Sequence, residues 1–246
     1  MNWKKDMSKK DDAVSPVIAL MLILAILATC MAVYTTTYVP GLKQQDEITH
    51  SGEVKLAFMR LAADIDTIIE QEKPAVYTEV LELGGGDVPL SPTKSSGTIE
   101  IEEIKIGTFQ IGENSSEYAL NSIQISYLPS FTAWEKQGYI YKNGVVWIVK
   151  DEKKTPAALK CYTTQNGTDA ENATIKKWYP TIQSGTVFIP IFKTGENTEI
   201  SGSSPVKLKL NARVGDVLPS VKIVFVDGTT QEYSGVRFVN IEVSVE

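Results

Sequence analysis

The chain has 246 residues, a formal net charge of −6 and a sequence pI of about 5.1. A phosphate-binding surface needs clustered Lys and Arg, so this balance argues against nucleic acid as a partner. Apolar residues make up 43%, ordinary for a folded domain; Cys30 and Cys161 fall in an apolar and a polar stretch, which argues against an intrachain disulfide and matches no zinc-site spacing.

The first element in chain order is a charged segment running into an apolar one, "KKDDAVSPVIALMLILAILATCMAVY" (residues 9–34). Lys4, Lys5, Lys9 and Lys10 precede the apolar run. Positive flanks stay cytoplasmic, so the rest of the chain is expected outside. Ser15-Pro16 suits a helix start: Ser can cap, and Pro fits the first turn, where its missing N–H costs nothing. From Pro16 to Val39 no residue is charged. At 1.5 Å per residue that helix spans roughly 36 Å, more than the ~30 Å hydrocarbon core. Tyr34 and Tyr38 fall where an outer aromatic belt belongs, and Pro40-Gly41 is expected to interrupt or kink the helix.

Four readings compete for this segment. A cleaved secretory signal has an apolar region of about 7 to 15 residues, and this one is longer, with Cys30 and Ala32 making a poor cleavage site. "LATC" (residues 27–30) approaches a lipoprotein box, but Thr29 stands where Gly, Ala or Ser is usual. The other two readings keep the helix: a permanent single-span anchor, or the assembly helix of a surface filament.

"DDAVSPVIALMLILAILAT" also resembles the N-terminus of archaeal type IV pilins and pilin-like proteins. Lys9 to Ala13 match the end of their charged leader. Val14, Ser15, Pro16, Val17 and Ile18 match the block after it, and Leu20, Ile23 and Ile26 lie in the apolar helix beyond. Ala19 departs from the pattern, where Gly is usual. The resemblance covers the N-terminal segment only. It implies a leader over 1–13, removed by a prepilin peptidase on the cytoplasmic side. The scissile bond would be Ala13–Val14, with Asp12–Ala13 the alternative. It implies a transmembrane or filament-core helix over 14–39 that packs against copies of itself or other pilins. The expected location is the cell membrane with an extracellular domain, then a surface filament serving adhesion. The alternative function is a single-span, membrane-anchored extracellular domain that binds a partner without polymerising.

Residues 40–74 return to helical period. Val54, Phe58, Leu61, Ile65, Ile68 and Ile69 recur at three and four residues and form one apolar stripe. Glu47, Glu53, Lys55, Arg60, Asp64 and Asp66 are placed largely off it. "QQDEITHSGE" (residues 44–53) reads as a bend or short linker, and Pro74 ends the helix. The stripe is expected to pack on the β domain C-terminal to it.

Residues 75–246 read as β structure. "VYTEVLEL" (76–83), "TIEIEEIKI" (98–106) and "NSIQISYL" (121–128) are alternating or β-rich runs. Asn143-Gly144 and Asp227-Gly228 mark hairpin turns. "LGGGDVPLSPTKSSGT" (83–98) is a turn between strands: no Lys-Ser/Thr comes after its glycines, and Pro89 and Pro92 oppose a helix start. Many short strands with polar turns predict an antiparallel sandwich-like head, an α+β chain as a whole.

No catalytic constellation is legible. There is one histidine, His50, expected at the surface. No G-x-S-x-G, H-E-x-x-H or P-loop pattern occurs, and no EF-hand loop, so neither a cofactor nor a metal is expected. "EIEE" (100–103) reads as a solvated face. Asn114, Asn166 and Asn172 each begin an N-x-S/T triplet in a polar stretch and are candidate glycosylation sites. Phe131, Trp134, Trp147, Trp178 and Tyr179 are weighed as core rather than as an adhesive surface.

Overall fold

A computed structural model describes residues 14–71, 73–85, 88–89, 91, 93–112, 115–157, 181–183 and 186–246. It has one long N-terminal helical rod, then a large, mostly antiparallel sheet. The rod comprises α1 (Val14–Val33), a π turn (Tyr34–Tyr38) and α2 (Val39–Gln71). Pro40-Gly41 does not interrupt it. Pro40 has no N–H to offer the carbonyl four residues back. The preceding turn widens instead, with the Val39 N–H donating to the Tyr34 carbonyl, and the helix continues. Residues 44–53 are likewise helix rather than a linker.

Among the described residues, eleven strands hydrogen-bond into one sheet: β1 (Ala75–Glu82), β2 (Ser96–Ile111), β3 (Tyr118–Ser130), β4 (Gln137–Lys142), β5 (Val145–Lys150), β6 (Lys153–Pro156), β7 (Thr181–Gln183), β8 (Thr186–Thr194), β9 (Glu199–Gly202), β10 (Pro205–Phe225) and β11 (Thr230–Val245). The main path runs β6-β5-β4-β3-β2-β10-β11-β8-β7. Only β8 and β11 pair in parallel among these neighbours.

Two long strands change partners along their length and so bend the sheet. β10 pairs β1 through Pro205–Ala212 and β2 through Val221–Phe225, while β11 runs along its other edge. β2 pairs β9 through Gly97–Glu100 and β10 through Gly107–Ile111, with β3 along its other edge. Each long strand has a register shift between its two halves, at Lys105/Gly107 and at Val214/Val217, where bulges sharpen twist. Gly107 lies at this corner for a steric reason: a Cβ there would stand 2.5 Å from the Val224 carbonyl oxygen. The bending brings β8 across from β3. Glu103 on β2 fastens the approach, accepting from the Thr194 N–H at 2.8 Å and its hydroxyl at 3.0 Å.

The Asn143-Gly144 turn joins β4 to β5 as the sequence predicts. Both residues have positive φ, 51° and 78°, the left-handed pair that a two-residue hairpin requires. Around Asp227-Gly228 the loop is longer: β10 ends at Phe225 and β11 begins at Thr230, and Asp227 Oδ1 accepts from the Thr229 N–H at 2.9 Å. The exposed edge strand β6 begins with Lys153 and Lys154, charges that discourage edge-to-edge pairing. Glu246 and Lys207 exchange two backbone hydrogen bonds, tying down the final strand.

α2 lies against β1 on one side and β4 and β5 on the other. Phe58, Leu61 and Ile65 are fully buried there, and burial of each such side chain contributes about 1.5–3 kcal/mol. The Phe58 and Tyr139 rings sit 6.0 Å apart. Arg60 and Glu79 close the solvent side with an ion pair at 2.6 Å; Arg60 is largely exposed, so this pair adds at most about 1 kcal/mol.

Candidate functional site

Two features of the rod stand out: an apolar half that none of the described residues covers, and a polar junction where the other half enters the sheet. In α1, side chains around the full circumference are exposed, among them Val17, Ile18, Leu20, Ile23, Ile26 and Val33, at 51–60%. A helix apolar on every side belongs in lipid or in a bundle of its own kind. Thr29 in α1, and Thr35 and Thr36 in the π turn, each donate to a carbonyl three or four residues back, which satisfies these hydroxyls without water. The helix Pro16–Gln71 is long and apolar enough to cross a membrane. Cys30 is exposed on it.

Tyr34 and Tyr38 stack at 6.1 Å between ring centroids, at the end of the apolar segment. Of the residues the sequence singles out, Val14 to Ile26 lie in α1. Ala13, Asn114, Asn166 and Asn172 lie outside the described residues, as do Cys161, Trp178 and Tyr179. Phe131 is buried, and Trp134 and Trp147 are half-buried.

The junction is built from Lys43, Glu47, His50 and Ser51, all buried on one face of α2. Their spacing continues the apolar stripe toward the N-terminus, so the face changes chemistry without changing direction. Glu47 and His50 are therefore corrected from their expected places: Glu47 is fully buried and His50 is 3% exposed. Two segments of the sheet clamp this face. From the β1–β2 connection, Thr93 accepts from Lys43 Nζ through its carbonyl at 2.7 Å and its hydroxyl at 2.5 Å. Ser95 donates to Glu47 Oε1 at 2.6 Å. After β3, the N–H groups of Thr132 and Ala133 donate to the two oxygens of Glu47 at 2.9 and 2.8 Å.

These donors explain how a carboxylate tolerates the site. Burial alone would raise the Glu47 pKa. The hydrogen bonds from Ser95 and from the backbone at Thr132, Ala133 and Trp134 outweigh it and hold the group below its ordinary value.

One turn further, His50 Nε2 lies 3.0 Å from the Tyr127 hydroxyl, which donates to the Leu83 carbonyl at 2.9 Å. Tyr127 has one proton, so its oxygen accepts from the imidazole N–H. The Phe131 ring meets the imidazole edge-on at 5.9 Å. Beside it, Tyr139 donates to the Ser51 carbonyl at 2.9 Å and meets the Ser51 hydroxyl at 3.0 Å. Burial pushes the His50 pKa down, although the carboxylates of Glu53, Asp46 and Glu82 pull the other way. The Tyr127 phenol is in turn held neutral by its burial. Among the described residues no group of three or more His, Cys, Asp or Glu could hold a metal ion. The arrangement is a fastener between rod and head.

The class defined so far is an α+β protein with one potential membrane-spanning helix docked on a single bent sheet. No family model, curated protein or solved structure matches this chain.

Proposed function

We propose that this chain is a pilin-like subunit of a type IV surface filament, with residues from Val14 onward as its assembly helix. The observation that carries the reading is the all-round apolar exposure of α1, joined without a break to a helix fixed on a folded head. Such a helix leaves lipid for a bundle of equal apolarity at little hydrophobic cost, since lipid tails and Leu side chains are alike in this respect. The resemblance around "AVSPVI" supports the same reading. It supplies the processing step at Ala13–Val14 by a prepilin peptidase. In this proposal copies of the chain or related pilins are the partners, and the head faces outward on the cell surface and serves adhesion. The head acts as a sandwich-like body, a reading supported by the approach of β8 to β3. N-linked glycans on Asn114, Asn166 and Asn172 belong to the same proposal.

A plain single-span anchor is the second reading, favoured by the same exposed helix, which suits permanent residence in lipid equally well. The mass of the mature N-terminus separates them. Sheared surface filaments containing a chain that begins at Val14 fit the first reading. A mature chain that keeps its lysine-rich leader fits the second and ends the first.

A further inference from the structure

The outward face of β8, β11 and β10 has a groove of about 440 Å³ lined by Lys193, Thr194, Asn211, Arg213, Asn240, Ile241 and Glu242. We infer that this groove is a binding site for an acidic saccharide, one whose ring bears a carboxylate.

The register places its polar groups. Asn211, Glu242 and Lys193 are direct cross-strand neighbours and form one row; Arg213 and Asn240 form the next row, two residues along. With strands ~4.8 Å apart and a same-face repeat of ~6.8 Å, the platform measures about 10 Å by 7 Å. It is rigid, because Ala212 and Val243 on the opposite face are buried in the core. Thr194 at its border is held by Glu103.

The chemistry selects the ligand class. Among the described residues, no ion pair within 4.0 Å involves Lys193 or Arg213, although Glu242 is a direct cross-strand neighbour of Lys193. The Arg213 guanidinium offers a planar fork that matches a carboxylate. Asn211 and Asn240 each offer a donor and an acceptor, and Glu242 offers acceptors only, the complement of vicinal hydroxyls. A bare phosphate would meet Glu242 as a like charge and has no vicinal hydroxyls to offer it, whereas a sugar ring can donate hydroxyls to Glu242 while its carboxylate faces Arg213. A peptide strand cannot add to β11 at the centre of the groove, since both edges of β11 are already paired. The inference holds whether or not the chain polymerises.

The test titrates full-length protein, in a non-glycosidic detergent, with trigalacturonate and with neutral trigalactose, using calorimetry as the readout. Expected are saturable binding of trigalacturonate, at least tenfold weaker binding of trigalactose, and at least tenfold weaker trigalacturonate binding by Arg213→Gln. Arg213 is exposed, so this variant keeps its fold, which its melting curve checks. Lys153→Gln, on β6 at the other end of the strand path from β8, makes the same charge change and is expected to bind as wild type. No binding of trigalacturonate overturns the inference. So does equal affinity for the neutral sugar, or an equal loss in Lys153→Gln, which would reduce the effect to net charge.

Discussion

The His50 imidazole and the Tyr127 hydroxyl meet at 3.0 Å across 77 residues of chain, joining the helical rod to a central strand of the sheet. This contact is made with a neutral imidazole, and that gives it a pH dependence of defined sign. The folded-state pKa of His50 lies below its ordinary 6.5. The unfolded chain therefore binds the proton first, and stability is lost as pH falls from about 6.5 toward the folded value. Asp46, Glu53, Glu82 and Tyr127 face the ring; the three carboxylates limit the shift. We expect the head's melting temperature to fall between pH 7 and pH 5, and to fall less in His50→Gln. Parallel melting curves for the two proteins across this range would show that His50 is not responsible.

Glu47 acts in a lower window with the same sign. Its folded pKa is depressed below 4.5, so its contribution is complete above that value and is lost as pH drops through the folded pKa. Asp46 opposes it, because burial raises its carboxyl. Removing the Glu47 side chain strands the N–H groups of Thr132 and Ala133. Glu47→Ala is expected to destabilise by about 3 kcal/mol, several times the effect of a surface change. Urea unfolding of the head at neutral pH measures it; a loss below about 0.5 kcal/mol would refute the fastener role.

Leu61 lies at the centre of the docked stripe and is fully buried. Leu61→Ala should cost about 2–5 kcal/mol. Leu61→Asp, which buries an unpaired charge, should abolish cooperative melting. If the aspartate variant melts like wild type, α2 does not dock on β1 and β4 as described.

Processing and assembly can be separated by two substitutions. A bulky residue in place of Ala13 should leave a full-length chain in the membrane and no filaments containing it. Each leader lysine dragged through the hydrocarbon would cost about 2.5–3.5 kcal/mol. Ile23→Asp should be cleaved normally yet fail to assemble, because its charge would enter an apolar bundle. N-terminal mass and electron microscopy of sheared material distinguish the two failures. Filaments built from the Ile23→Asp chain would remove the assembly role from α1.

Glycans give a mass test. Intact mass of protein from its native host should exceed the sequence mass and fall stepwise as Asn114, Asn166 and Asn172 are each changed to Gln. An unmodified mass ends that proposal.

The range of each interaction decides whether it is legible in the sequence. The Asn143-Gly144 turn is legible because left-handed φ is a local demand. So is the stripe from Val54 to Ile69, because helical period is local too. Glu47 and His50 escape such a reading because polar side chains do not register as hydrophobic periodicity. Their spacing to Val54 (positions 43, 47, 50 and 54) is the available signal, since it repeats the stripe's own interval. Strand order is not legible: β1 pairs β10 and β8 pairs β11 in parallel, partners chosen by shape at long range. The groove is hidden for the same reason, since Lys193, Arg213 and Asn240 become neighbours only through that pairing.

The unbroken rod from Val14 to Gln71 couples rotation to length. An α-helix advances about 1.5 Å and turns about 100° per residue, so in the proposed filament the side of α1 that meets a neighbour would dictate the compass bearing of the head. The π turn at Tyr34–Tyr38 already acts as a one-residue phase correction within that shaft. Inserting one alanine after Tyr38 would swing the groove on β8, β10 and β11 about 100° around the rod. Inserting seven would return it to within about 20° of its first bearing, some 10 Å farther out.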